Sequence, residues 1–218
     1  MRVQRAKVKR IRLDKLQGHE IISPRTGARM VILRLPEDDD GELTIMRLLR
    51  PGQRWTPEHV HLDFSEHFRV LAGIADAEHA GKKLRLGVGE VHYVGKGVRH
   101  VNLRNNDITD LLYLQTFIPA TEGARGYVST LAQVLRDGRD RDGELPWPLV
   151  LAIGDVTRER TYARHMPYYV QRKVLLPLGS YVAGTRGLGV QLARKPRKAE
   201  APARGLSPQR SSDLRSTT

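Results

Sequence analysis

From residue 29 to residue 118, apolar and polar residues alternate with a period of two, the spacing of strands that bury one face. Residues 29–35, RMVILRL, predict a first strand. Residues 43–50 predict a second, in which Thr44, Met46 and Leu48 face away from Ile45, Arg47 and Leu49. The acidic EDDDG at 37–41 predicts a turn between them, and its acids lack the spacing of a calcium loop. In the run EHFRVLA, Glu66, Phe68 and Val70 share one face and His67, Arg69 and Leu71 the other. Gly81 marks a hairpin with His79 beside it, and residues 84–86 and 91–94 predict short strands. Gly95, Lys96 and Gly97 predict a turn before a strand at 100–104. Residues 111–118 predict a closing strand, apolar on both faces as a sandwiched strand should be.

Beyond Pro119 the period lengthens. Residues 123–136 space Tyr127, Leu131, Val134 and Leu135 as a helix does. Residues 137–148, DGRDRDGELPWP, read as a polar linker. Its Asp140, Asp142 and Gly143 mimic part of a calcium loop without the closing Glu. A second helix is expected from Pro148 to about His165. A third is expected from Tyr168 to about Val182, bent or broken at Pro177. These helices would pack on the strands, join a homodimer or lie on a membrane surface. The expected layout is a basic segment at 1–28, a β-barrel at 29–120, a helical extension at 121–190 and a disordered basic tail at 191–218.

The candidate chemistry sits between the second and third predicted strands. His59 and His61 are two residues apart and share a face if that segment is extended. Glu66 lies on the face of its strand that carries Phe68 and Val70, so it points inward and His67 outward. His100 opens a later strand with no apolar reason to be buried. Two imidazoles and a carboxylate converging inside a small β structure, with a third imidazole from a second strand pair, suit a divalent first-row metal. Asn102 shares a face with His100. Tyr113, Gln115 and Phe117 share a face of the closing strand, where Tyr113 and Gln115 are either pocket groups or ordinary barrel positions. His92 could face either the site or solvent.

Composition narrows the options. With no cysteine among 218 residues, disulfides, thiolate metal sites and cysteine nucleophiles are excluded. The formal charge of +13 is concentrated at the ends: residues 1–15 carry seven Lys or Arg and one Asp, and residues 192–218 carry seven and two acids. Without a legible nucleic-acid module, these read as solvated termini rather than a nucleic-acid contact. The basic start is followed by no apolar signal region, and no apolar run approaches membrane-spanning length, so a cytoplasmic protein is expected.

The spacing resembles that of the cupin superfamily, the small double-stranded β-helix or jelly-roll barrels. Its first motif corresponds to Gly52, His59, His61, Glu66 and Gly73, with six residues rather than five after Gly52. Its second corresponds to Gly89, Gly97 and His100, with Gly95 at the usual proline and Arg104 at the usual asparagine. The phrase SPRTGARMVIL at 23–33 and the helical tail also look like a group of bacterial single-domain cupins. The resemblance implies a mainly β jelly-roll barrel with a C-terminal α-helical extension. It also implies one divalent ion (Fe, Mn, Ni or Zn) on His59, His61, Glu66 and His100. Asn102, Tyr113, Gln115, Phe68 and Phe117 would line a pocket for a small-molecule substrate or ligand. Two functions follow: a metal-dependent enzyme of dioxygenase or isomerase type, or a non-catalytic binding or sensing module. The fold hosts both.

Overall fold

A computed structural model describes residues 5–36, 41–54, 57–163 and 167–194. Its centre is formed by eight strands: β4 (Leu43–Leu49), β5 (His59–His61), β6 (Ser65–Ala72), β7 (Ala75–His79), β8 (Lys82–Leu86), β9 (Val91–Val94), β10 (His100–Arg104) and β11 (Leu111–Ile118). They form two antiparallel sheets, in the orders β4-β11-β6-β9 and β5-β10-β7-β8. That order is the jelly roll, two Greek keys folded face to face. The interior follows from the period of two. Leu49, Phe68, Val70, Leu111 and Tyr113 of the first sheet pack against Ala75, Ala77, Leu86 and Leu103 of the second.

The first sheet is wider than the second. β2 (Glu20–Ile22) and β3 (Arg29–Arg34) extend it beyond β4. Their inward residues, Ile21, Met30 and Ile32, together with Leu43 and Ile45, have no opposing strand. Helices cover them instead: Ala124, Val128, Leu131 and Leu135 of α1 (Glu122–Arg136) and Leu149, Ala152 and Ile153 of α2 (Trp147–Thr157) complete this second core. The helical extension therefore takes the place of a second sheet over half of the first. Thr121 caps α1, its hydroxyl accepting from the Ala124 N–H at 3.1 Å.

Several expectations from the pattern give way to long-range pairing. Residues 1–28 are more than a basic segment, because β1 (Lys7–Ile11) pairs in parallel with β13 (Gly189–Ala193) and β2 pairs with β3. The ladder takes in residues 191–193, beyond the expected start of the tail, and Val190 and Leu192 are buried. Residues 195–218 and the acids at 37–40 lie outside the described residues. The second helix stops at Thr157, where Arg158 adopts a left-handed conformation, and residues 161–163 form a strand, β12 (Thr161–Ala163). Pro177 does not break the third helix. α3 (Tyr168–Val170) runs through a π turn at Gln171–Leu175 into α4 (Leu176–Thr185), the wider turn preceding the proline that lacks an N–H to give.

The segment 137–148 is no solvated linker either. Asp140 is fully buried and accepts from Ser23 Oγ, Thr26 Oγ1 and the Gly143 N–H. Glu144 pairs with Arg47, which projects from β4 into the interior, at 2.5 Å, and Tyr127 donates to the other Glu144 oxygen. An arginine at a core position requires such a partner, since an unpaired buried charge is strongly disfavoured. No helix among the described residues is long and apolar enough to cross a membrane.

Candidate metal centre

β5 and β10 are neighbours, with His59 opposite His100. Across the interior, β6 begins at Ser65 and turns Glu66 inward, as the alternation predicts. Gly97, in the left-handed region at φ +78°, closes the turn before His100 and donates its N–H to the His61 carbonyl at 2.7 Å. That contact ties the second histidine strand to the first.

One ligand atom from each of His59, His61, Glu66 and His100 can be chosen so that all four lie within 4.8 Å of one another. Glu66 Oε2 lies 2.8 Å from His100 Nε2 and 3.5 Å from His61 Nε2. Each imidazole is also held on its far side. His59 Nδ1 is 2.7 Å from the Pro57 carbonyl, His100 Nδ1 is 3.2 Å from the Val98 carbonyl, and His61 Nδ1 is 2.7 Å from Thr161 Oγ1. A carbonyl only accepts, so His59 and His100 carry hydrogen on Nδ1. Outward tethers of this kind fix the tautomer of a metal-binding histidine. Glu66 is steered by Gln115, whose Nε2 donates to Glu66 Oε1 at 2.9 Å and leaves Oε2 for the histidines.

The electrostatics agree with this arrangement. Burial, reinforced by neighbouring His100 and His61, pushes His59 well below the ordinary imidazole range. Burial likewise lowers His61. For Glu66 burial works the other way, but His61 and His100 outweigh it and hold the carboxyl well below its usual range. Glu66 Oε2 faces both His100 Nε2 and His61 Nε2, an arrangement that a shared cation satisfies. Three imidazole nitrogens and one carboxylate, without sulfur, suit a divalent first-row ion.

Beside the cluster lies a cavity of about 390 Å³ between the jelly roll and the helical extension. His59, His61 and Glu66 form one end of it. Phe117 and Asn102 line it, and the Asn102 side-chain oxygen is buried with no partner. Phe68, Tyr113 and Gln115 are placed elsewhere. Phe68 and Tyr113 sit in the core between the sheets, and Gln115 stands behind Glu66. His67 faces away and packs on Tyr93. His92 is buried outside the four-residue cluster, stacked on Phe68 and lowered to about 4, chiefly by burial.

Two groups at this site have no counterpart in the sequence reading. Thr161 reaches His61 because β12 pairs with β5, Thr161 opposite His61. Glu159, two residues earlier, lines the cavity and accepts from Thr121 Oγ1 at 2.6 Å. Nothing local marks Thr161. Glu159 had one faint signal: it is the last acid before Glu200.

No protein-family model and no curated protein matches the chain. Solved structures do. KdgF from Halomonas sp. is 21% identical over 46% of this chain and 86% of its own, with a TM-score of 0.40. A predicted oxalate decarboxylase from Thermotoga maritima is 24% identical over 51% and 99%, TM-score 0.40. An RmlC-like cupin from Shewanella frigidimarina is 21% identical over 48% and 87%, TM-score 0.40. The chemistry rests on this chain's own residues. By its strand order, and by the His59, His61, Glu66 and His100 cluster inside the jelly roll, the chain has the cupin fold.

Proposed function

We propose that the protein is a metal-dependent enzyme acting on a small organic molecule, with one divalent ion held by His59, His61, Glu66 and His100. The observation that carries this reading is the set of far-side tethers. Pro57, Thr161 and Val98 each hold an Nδ1, and Gln115 holds one Glu66 oxygen, so the remaining ligand atoms face one another. A bound ion supplies Lewis acidity or, if it is redox-active, dioxygen activation. The chain's own groups supply the rest. The histidines and Glu66 close one end of a cavity of about 390 Å³, large enough for a small molecule. Asn102 offers a carbonyl oxygen to a donor on the substrate.

The test is elemental analysis of protein purified without added metal, followed by substrate screening of the loaded protein. About one ion per chain, lost in His61→Ala, supports the site. Protein that stays metal-free across varied supply overturns it. A second reading, a non-catalytic binding or sensing module, shares the ligand set and the cavity. It would be supported by a small molecule that is bound by the loaded protein and recovered unchanged.

A further inference from the structure

We propose that the cavity takes a substrate with a chelating oxygen head and an apolar body, and that Glu159 exchanges a proton with that head. This rests on the reading of the cluster as a metal site and adds the substrate class and the proton-transfer residue, both supplied by the helical extension.

The apolar body follows from the walls. Beyond the histidines the cavity runs between Phe64 and Phe117 on one side and Val150, Ile153 and Leu176 of the helices on the other. Most polar side chains in these walls already have partners. Glu144 is bonded by Arg47 and Tyr127. Gln171 bonds the Ala163 backbone through both its oxygen and its nitrogen. Thr161 is bonded to His61. Water along such walls finds few partners, whereas a hydrocarbon fills them favourably.

Asn102 and Glu159 place polar groups along these walls. The Asn102 side-chain oxygen is buried without a partner, on the same strand as His100. Glu159 lies against the first turn of α1, so close that a side chain on Gly123 would overlap its carboxyl group. Glu159 Oε2 accepts from Thr121 Oγ1. Burial raises it to about 7, against the hydrogen bond from Thr121, with Asp63 adding to the rise. Near neutrality it is therefore present as both acid and base, the condition for moving a proton in either direction. β12 carries it beside the cluster: Glu159 and Thr161 are two residues apart, Thr161 pairs with His61, and Arg160 between them binds Asp63 through its backbone N–H. Where a bound ion would favour the anionic form of a substrate head, the Glu159 carboxylate would take up the proton that the head loses. Product release returns it.

The test uses two hydroxamic acids, acetohydroxamic and octanohydroxamic, which share one chelating head and differ in apolar length. Both are titrated calorimetrically into cobalt-loaded and metal-free full-length protein, with cobalt absorption reporting metal binding separately. The longer probe should bind the cobalt protein at least about tenfold more tightly, because each buried methylene adds affinity. Val150→Phe, which fills the cavity, should abolish that preference. Titration in buffers of different ionisation enthalpy counts protons. At about pH 7.5 net release should be near zero for the wild type and near one per ligand for Glu159→Gln. Equal affinity of the two probes for the wild type overturns the substrate class. Equal proton release by wild type and Glu159→Gln overturns the role of Glu159. If no cobalt binds but the longer probe still binds with the Val150→Phe effect, the metal reading falls and the cavity stands.

Discussion

Thr161 Oγ1 lies 2.7 Å from His61 Nδ1, so the strand that follows α2 holds an imidazole on the opposite side from Glu66. The contact joins the helical extension to the jelly roll at the candidate metal centre. Loss of such an outer partner loosens the ligand's tautomer and orientation. Thr161→Val should therefore weaken metal binding about tenfold or more while shifting the melting temperature little. Competition with a chelator of known affinity measures the first effect and calorimetry the second. Unchanged metal affinity would show that His61 is oriented by its strand alone.

Side-chain parity on β6 separates two adjacent residues. Glu66 is buried against the histidines, whereas His67 points away toward Tyr93. Glu66→Gln should remove most bound metal and His67→Ala should remove none, read by elemental analysis. Chelator treatment of the wild type should lower the melting temperature, since an ion bound only by the folded chain stabilises it.

Arg47 and Glu144 are buried partners from β4 and the segment before α2. Removing one leaves the other charged and unpaired. Arg47→Met should destabilise the fold by about 3–5 kcal/mol, and Arg47→Met with Glu144→Gln by less than Arg47→Met alone. Urea unfolding of the four proteins of this cycle gives the coupling.

Glu159 gives stability a pH dependence of known sign. Its carboxyl group is raised to about 7 in the folded chain from an ordinary value of 4.5, so the folded state holds its proton more tightly than the unfolded state. Stability then falls as pH rises from about 4.5 to about 7 and levels off above. Glu159→Gln should remove this component and gain on the order of 1–3 kcal/mol relative to the wild type above about pH 7.5. Parallel pH–stability curves for the two proteins would place Glu159 in a more solvated setting.

Much of the site was legible because it depends on local rules. The period of two placed Glu66 inward and His67 outward, and the HxH spacing put His59 and His61 on one strand. The turn at Gly97 delivered His100 to the same interior. Strand alternation is a property of each residue's own backbone, so a short stretch of sequence determines it. What surrounds the four ligands was decided by pairings between distant segments. β12 reaches β5 across about a hundred residues, and the three residues Thr161, Tyr162 and Ala163 carry too little pattern to announce a strand. Gln115 could be placed on the correct face of β11, but its role in aiming Glu66 depends on β11 lying beside β6. Arg47 shares a strand face with Ile45 and Leu49, and Asp140 sits in a segment that reads as a polar linker; their partners come from elsewhere in the chain. The sequence determined most of the jelly-roll strands, their inward faces and the four candidate ligands. Only the tertiary structure decided what holds those residues, and that a cavity and the Glu159 carboxyl group stand beside them, because burial and partnership belong to assembled surfaces rather than to local spacing.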